Sequence, residues 1–338
     1  MNNFIPTIGI EVHIALNTKS KMFSPSKNLH NDPVNTNINE IDLALPGTLP
    51  SVNEGAVIKA IQLAKALNMQ IDQTIRFDRK NYFYQDLPKG FQITQQFFPI
   101  GKNGVISISN KDIRIERIHM EEDTAKQILS GTNICLDYNR AGVPLIEVVS
   151  RPDIHSSKEA YEYLVNLKRL VSFIDISDAK MEDGSLRADI NISVAPVGAN
   201  KLGTKVEVKN VNSFNNVIKA IDYEINRQTQ LILNNESIQQ ETRRWDDVSK
   251  TTIFMRGKSN LVEYCYFTEP NILAINLTNE FVKDAIDSMK PTANEVQKHL
   301  ESLNINNILI GQLLDDYQLY KIFDYVSNQT KDPNQAIT

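Results

Sequence analysis

The chain has 338 residues, more than one small hydrophobic core requires, and this length indicates two or three structural units. It has 36 Lys and Arg and 41 Asp and Glu, which gives a net charge of -5. This charge excludes a broadly basic surface for nonspecific nucleic-acid binding, so a nucleic acid could bind only through a local basic patch. The two distant cysteines exclude a disulfide framework and a cysteine zinc site, and no apolar run reaches the roughly 18 residues of a membrane helix.

The N-terminus lacks the pattern of a secretory signal, so we expect a cytoplasmic protein with no membrane partner, an organellar matrix being the alternative location. Residues 7–16 alternate between apolar and polar side chains, which predicts a strand with one buried face. Residues 17–50 are rich in Pro, Asn and Ser and predict an irregular connection. Asn53 then precedes apolar helical spacing over 56–69, and the run from Gly101 to Gly104 is typical of a hairpin turn.

The second half of the chain continues with helices and strands and then changes character. Ser156, followed by Glu159 three residues later, has the spacing of a capping box. This pattern predicts a helix that begins after Ser156 and ends near Phe173. The next predicted elements are strands over Ala188–Ala195 and Thr204–Lys209 and a long helix over Asn216–Leu233. Residues 279–338 show short helical patterns without strand alternation, so we predict a first domain over 1–289 and the start of a helical domain over 290–338.

Acidic residues recur on the polar faces of the predicted strands. Glu11 and His13 share one face of the first strand, roughly 7 Å apart at their Cα atoms. If the strands pair in one antiparallel sheet, their polar faces converge on a set of acids and one imidazole: Glu11, His13, one or both of Glu121 and Glu122, Asp189, and Glu207. The alternative is a set of ordinary solvated strand faces, because alternation does not show which strands are neighbours.

Converging carboxylates repel one another unless a cation neutralises them, and hard oxygen ligands suit Mg²⁺. Arg79, Lys80, Lys205 and Lys209 offer positive charge for phosphate nearby. This combination is typical of phosphoryl transfer, in which the protein positions reactants and stabilises charge. The run from Asp78 to Tyr84 combines charged residues with aromatic ones. One interpretation is that its rings stack on a nucleotide or RNA while its charges meet phosphate, and the other is that its rings pack into the core.

Several long segments, taken in order, resemble the B subunit of the tRNA-dependent amidotransferase, the GatB family. They include IGIEVHIAL, FDRKNYFYQDLPKGFQITQ, RIHMEEDTAK, DYNRAGVPLIEVVSRPDI, MEDGSLRADINISV, GTKVEVKNVNSFNNV and QETRRWDD. The resemblance covers about residues 7–270 and its motifs are highly specific.

The resemblance implies a carbon–nitrogen ligase that uses glutamine as amido donor. A GatB protein phosphorylates the side-chain carboxylate of Glu-tRNA(Gln), of Asp-tRNA(Asn) or of both with ATP and Mg²⁺. Ammonia that the A subunit of the amidotransferase makes from glutamine then displaces the phosphate, and the C subunit holds the other two together in a heterotrimer. The implied fold is α+β: a glutamine-synthetase-like cradle domain with an antiparallel sheet, followed by a partial helical domain.

The resemblance also assigns roles to individual residues. Glu11 and His13 match the Glu-x-His metal ligands, and Glu122 matches the second acidic ligand, with Glu121 as its less favoured neighbour. The implied catalytic residues are Glu122, Asp189 and Glu207, and the implied phosphate-binding residues are Arg79, Lys80 and Lys205.

The sequence also departs from the family pattern. Ser24, Ser26, Asn39 and Asp42 stand where some members carry zinc-binding cysteines, so we expect no zinc. Cys265 and Thr268 replace an arginine and a proline. We expect the C-terminal tail domain to be absent from this chain, so a non-catalytic tRNA-binding or assembly protein is the alternative function.

Overall fold

The computed structural model describes residues 3–29, 31–257 and 264–330, and these ranges form sixteen strands and seven helices. The strands are β1 Phe4–Ala15, β2 Gln70–Ile71, β3 Thr74–Ile75, β4 Asp78–Asn81, β5 Phe91–Thr94, β6 Gly101–Ile108, β7 Lys111–Glu122, β8 Lys126–Ser130, β9 Asn133–Asp137, β10 Pro144–Ser150, β11 Leu186–Pro196, β12 Val206–Lys209, β13 Glu241–Asp246, β14 Thr251–Gly257, β15 Cys265–Thr268 and β16 Ile275–Asn276. The helices are α1 Glu54–Ala66, α2 Ser157–Phe173, α3 Phe214–Leu233, α4 Asn279–Asp287, α5 Ala293–Ser302, α6 Asn307–Asp315 and α7 Tyr317–Thr330.

Nine strands form one large sheet in the order β14-β13-β12-β11-β1-β10-β7-β6-β2. Its described pairings are antiparallel except for β12 with β13, which run parallel. The prediction of a mixed helix-and-strand chain built on a largely antiparallel sheet is confirmed. None of the helices in the described part of the chain is long and apolar enough to span a membrane.

The alternation of β1 decides which face of the large sheet is buried. Ile8, Ile10, Val12 and Ile14 are at most 1% exposed and join one hydrophobic core with residues of α1, α2 and α3. Each such side chain stabilises the fold by about 1.5–3 kcal/mol relative to an exposed one. Since the helices cover this face, the opposite face of the sheet is left for polar side chains.

The predicted helix starts are confirmed by their caps. The Asn53 side chain accepts a hydrogen bond from the Ala56 N–H at 3.2 Å, and Ser156 accepts one from Glu159 at 3.2 Å. The Glu159 carboxylate accepts from the backbone N–H of His155 rather than that of Ser156, so the predicted capping box is only half formed. Helix α1 ends earlier than predicted because Asn68 has a left-handed φ of 55°.

The predicted hairpin turn at Gly101–Gly104 was wrong, because these residues belong to β6. Asn103, with φ of 57°, lies between the pairs Lys102–Arg117 and Gly104–Ile115, which keep one register across β6 and β7. A Cβ at position 104 would lie only 2.5 Å from a side-chain carbon of Met69. The glycine therefore serves close packing against the chain after α1 rather than a turn.

A three-stranded sheet, in the order β15-β4-β5, lies beside the polar face of the large sheet. Lys80 pairs with Tyr266 and Arg79 with Phe267, so these two basic residues point to opposite faces of the small sheet.

The C-terminal helices divide between two hydrophobic cores. Ala285 of α4 joins the first core, whereas α5, α6 and α7 form a second core that also contains Phe173 of α2. The domain boundary at 289–290 stays a prediction, and residues 331–338 of the predicted helical domain lie outside the described residues.

Candidate active site

A cavity of about 760 Å³ lies on the polar face of the large sheet. The acids that line it are Glu11, Glu121, Asp123, Glu147, Asp189 and Glu207, and the cations are Lys80, Arg187, Lys209 and Arg256. The acids outnumber these cations, so the cavity suits a positively charged ligand together with a phosphate-bearing one.

His13, Glu121 and Glu147 form a first group of candidate metal ligands. Each offers one ligand atom within 4.8 Å of the others. The His13 Nε2 atom lies 3.1 Å from Glu121 Oε1 and 3.7 Å from Glu147 Oε2. The sheet places them, because His13 pairs with Glu147 across β1 and β10, and Glu121 lies on the next strand, β7.

His119 supports this first group from β7. Its Nε2 atom lies 2.9 Å from Glu147 Oε2. Burial lowers the pKa of both imidazoles, but the Glu147 and Glu121 carboxylates outweigh it and raise the pKa of His13 and of His119 to about 9. Burial raises the pKa of Glu147, whereas the charged histidines bring it down to about 2. The two carboxylates therefore favour the protonated form of both imidazoles.

Glu11, Asp189 and Glu207 form a second group, whose ligand atoms also lie within 4.8 Å of one another. They come from the neighbouring strands β1, β11 and β12. Lys209 forms ion pairs with Asp189 and, at 3.5 Å, with Glu207. Burial, together with Glu147, Asp189 and Glu207, raises the pKa of Glu11, as expected for crowded carboxylates.

The two groups are adjacent because Glu11 and His13 are two residues apart on β1 but contribute to different groups. The donors are one imidazole and five carboxylates, a set that suits Mg²⁺ or a similar hard divalent ion. The Asn191 amide donates to Glu11 at 3.0 Å, while its own buried oxygen has no hydrogen-bond partner among the residues that the structure describes. These residues fit two divalent ions.

The structure does not bring Glu122 together with the other predicted ligands. Glu122 follows Glu121 directly, so its side chain lies on the opposite face of β7. Its carboxylate pairs with Lys89 and accepts from the Ile93 N–H at 3.0 Å. The metal and catalytic roles of Glu122 stay predictions. Glu121, rather than Glu122, lies beside His13 and Glu147 in the first group of candidate ligands.

The three predicted phosphate-binding residues lie in different surroundings. Arg79 forms a bidentate pair with Glu269, at 2.6 and 3.0 Å, and its guanidinium lies 4.0 Å from the centroid of the Phe91 ring, outside the cavity. Lys80 lines the cavity. Lys205 is exposed and borders a smaller cavity of about 250 Å³ that Glu11 also lines. Only Lys80 therefore faces the main cavity.

Comparison with known proteins settles the family. The family model described as "GatB/GatE catalytic domain" matches residues 6–283. The chain belongs to the GatB/GatE family. Three similar relatives are named as the B subunit of aspartyl/glutamyl-tRNA(Asn/Gln) amidotransferase. The relative from Malacoplasma penetrans (strain HF-2) is 53% identical over 99% of this chain and 70% of its own length. The relative from Ureaplasma parvum serovar 3 (strain ATCC 27815 / 27 / NCTC 11736) is 53% identical over 98% of this chain and 71% of its own length. The relative from Mesoplasma florum (strain ATCC 33453 / NBRC 100688 / NCTC 11704 / L1) is 47% identical over 100% of this chain and 72% of its own length.

Two residues of this GatB/GatE site escaped the sequence reasoning. Glu147 is a lone acid within the apolar run VPLIEVVS, and that interruption was the signal that could have found it. Arg187 lies opposite His13 in the sheet, and its Nη2 atom is 3.1 Å from Asp123 Oδ2. No spacing in the sequence connects Arg187 to Asp123. The two residues meet only in the fold, where the Arg187 side chain on β11 reaches past β1 and β10 to the residue that follows β7.

The positions Ser24 and Asp42, where the resemblance leads one to look for zinc-binding cysteines, belong to a polar cluster in this chain. The Ser24 hydroxyl donates to Asp42 at 2.7 Å, and the Lys21 ammonium lies 3.4 Å from the same carboxylate. Lys21 is fully buried, and burial lowers its pKa although Asp42 opposes this shift. Here a lysine–aspartate pair cross-links the loop.

Proposed function

We propose that this chain is the carboxylate-activating component of a glutamine-dependent tRNA amidotransferase. The ATP-dependent reaction phosphorylates the side-chain carboxylate of Glu-tRNA(Gln), of Asp-tRNA(Asn) or of both, and ammonia then replaces the phosphate. The observation that carries the proposal is the pair of adjacent ligand groups on one sheet face within one cavity. The names of the relatives support the substrate class.

In this proposal the two ligand groups hold divalent ions, Mg²⁺ by their chemistry. His13, Glu121 and Glu147 hold one ion, and Glu11, Asp189 and Glu207 hold the other. When bound, the ions neutralise charge on the transferring phosphoryl group and orient its oxygens. The imidazole and carboxylates fix where those ions sit, and Asn191 and Lys209 orient Glu11 and Asp189 from outside the groups.

The cations of the cavity act on the phosphates themselves. Arg187, held by Asp123, and Lys80 present fixed positive charge toward a cavity that is otherwise acidic. Such preorganised charge stabilises a phosphoryl group more than water does, because it needs no rearrangement during the reaction. Lys205 and Arg79 retain at most an outer role in phosphate binding in this proposal.

We further propose that the chain assembles with the A and C subunits of the amidotransferase as a heterotrimer, and that it works in the cytoplasm. The A subunit supplies ammonia from glutamine, which makes the assembly a carbon–nitrogen ligase. The relatives' designation as a B subunit supports a multi-subunit enzyme. The description of residues 1–289 as a glutamine-synthetase-like cradle is part of the same proposal.

The proposal is tested by replacing Glu121 or Glu147 with glutamine in the assembled amidotransferase. Each change removes a charged ligand while keeping its size, so amidation of Glu-tRNA(Gln) should fall by roughly 100-fold or more. The matched control is Glu116→Gln on the same strand, since Glu116 is exposed and its pair with Arg151, at 3.6 Å, contributes little.

The reaction is followed with free ammonium as well as with glutamine, so that a loss confined to ammonia supply is recognised. Wild-type turnover in both glutamine variants would remove the proposed site. Binding of tRNA without Mg²⁺-dependent ATP hydrolysis in the unaltered assembly would instead indicate a non-catalytic binding protein.

A further inference from the structure

Four tyrosines form a wall beside the acidic cavity, and we call Tyr82, Tyr84, Tyr264 and Tyr266 the aromatic wall. Tyr266 pairs with Lys80 across β15 and β4, so the two side chains share one face of the small sheet. The other three tyrosines lie just beyond the ends of these strands and join Tyr266 through ring contacts. Tyr82, Tyr264 and Lys80 line the same cavity as the two ligand groups. The opposite face of this sheet carries Arg79 and Phe267.

The rings of the aromatic wall contact one another by their edges. The centroids of Tyr82 and Tyr264 are 5.4 Å apart, those of Tyr82 and Tyr84 are 5.7 Å apart, and the interplanar angle is 66° in both pairs. Tyr264 and Tyr266 are 6.3 Å apart at 72°. Edge-to-face contact leaves ring faces that a flat partner can cover.

The aromatic wall is not part of the protein core. Neither hydrophobic core contains any of its four tyrosines, and Tyr84 is 56% exposed. The packing alternative for the run from Asp78 to Tyr84 therefore does not account for these rings. Large aromatic side chains beside a polar cavity, outside any core, fit a ligand with a flat apolar part.

Lys80 adds positive charge to this surface. Its ammonium lies 4.5 Å from the centroid of the Tyr264 ring and 5.6 Å from that of Tyr82. Aromatic faces beside a fixed cation are the pattern by which proteins bind nucleotides, since the base stacks on the rings and the backbone phosphate meets the charge. The carboxylates that line the same cavity repel phosphate unless ions are bound, so Lys80 is the cation beside these rings that a phosphate can meet.

We propose that the aromatic wall stacks on a nucleobase, with Lys80 as the phosphate partner of the same nucleotide. The proposal rests on the proposed function, because both substrates named there present a terminal nucleoside: ATP, and the 3′ end of the tRNA. The shared chemistry is a base attached to a phosphate. Binding measurements with separate probes distinguish the two sources.

The test replaces Tyr82 with leucine, which keeps apolar bulk but removes the ring, and with phenylalanine, which keeps the ring. Stacking on one ring changes affinity by about 5- to 100-fold, so Tyr82→Leu should raise the Kd of its ligand by that factor and Tyr82→Phe should not. The matched control is Tyr325→Leu on α7, where the tyrosine is 67% exposed and lies outside the cavity lining. Circular dichroism and Tm establish that each variant is folded.

Titration calorimetry measures three probes in the presence of Mg²⁺: ATP, inorganic tripolyphosphate, and an RNA oligonucleotide that ends in CCA. A loss for ATP without a loss for tripolyphosphate supports the base of ATP as the stacked group. A loss for the RNA alone supports the tRNA end. Unchanged Kd values for ATP and RNA in Tyr82→Leu overturn the nucleobase proposal but leave the proposed function in place. An unaltered assembled amidotransferase that binds neither ATP nor the RNA overturns both.

Discussion

Glu121 and Glu122 are neighbours in the sequence but face opposite sides of β7, and this single-residue difference decides which of them can bind a metal. Glu121 meets His13, whereas Glu122 meets Lys89 and the backbone of β5. Alternation along the strand, counted from His119, already favours Glu121. The resemblance favoured Glu122, and the geometry supports the strand count.

Glu122→Gln should therefore act on stability rather than on metal binding. The amide loses the ion pair with Lys89 and keeps only weaker hydrogen bonds, so unfolding should become easier by about 1–3 kcal/mol. Urea denaturation measures this change, and titration with Mn²⁺ as a paramagnetic substitute should give a Kd within about twofold of the unaltered chain. Lost Mn²⁺ binding at unchanged stability would restore Glu122 as a ligand.

At the scale of elements, alanine substitutions at two glycines should change the stability of the chain in opposite directions, because the surroundings of the two glycines differ. A Cβ on Gly104 in β6 would lie 2.9 Å from the Leu67 carbonyl oxygen, whereas a Cβ on Gly311 in α6 would meet no atom of the described residues within 4 Å. Gly104→Ala should destabilise the chain by about 1–3 kcal/mol because backbone has to move. Gly311→Ala should stabilise it by up to about 1 kcal/mol through helix propensity. Chemical denaturation of both variants checks the signs, and equal effects would contradict the packing at Gly104.

The elements themselves were largely predictable, and the limits have physical causes. Alternation located β1 and β11, a cap located α2, and apolar helical spacing located α3, because those signals are local. The predicted end of α1 lay too far along the chain because Asn68 adopts a left-handed backbone conformation, which the apolar spacing does not reveal. Glu147 was missed because alternation gives the face of a residue but not the neighbour of its strand, and β10 lies between β1 and β7 only in the folded sheet.

At the scale of the whole molecule, Phe173 connects the two hydrophobic cores. It ends α2, is 1% exposed, and its ring centroid lies 5.1 Å from those of Tyr317 and Tyr320 on α7. Two exposed ion pairs, Arg169 with Asp315 and Lys290 with Asp175, also join the same regions but contribute little. The attachment of α5–α7 to the rest of the molecule therefore depends mainly on this aromatic contact.

Phe173→Ala should loosen α5–α7 while leaving the active site intact. The lost ring costs about 3–5 kcal/mol, and because the second core is small, that loss should fall on it first. Hydrogen exchange should show faster exchange in α5–α7 at unchanged protection of β1 and β11, with ATP and Mn²⁺ affinity retained. Phe254→Ala is the control, since Phe254 is 54% exposed on β14. Uniformly faster exchange across both cores would mean that the helices and the sheet unfold as one cooperative unit.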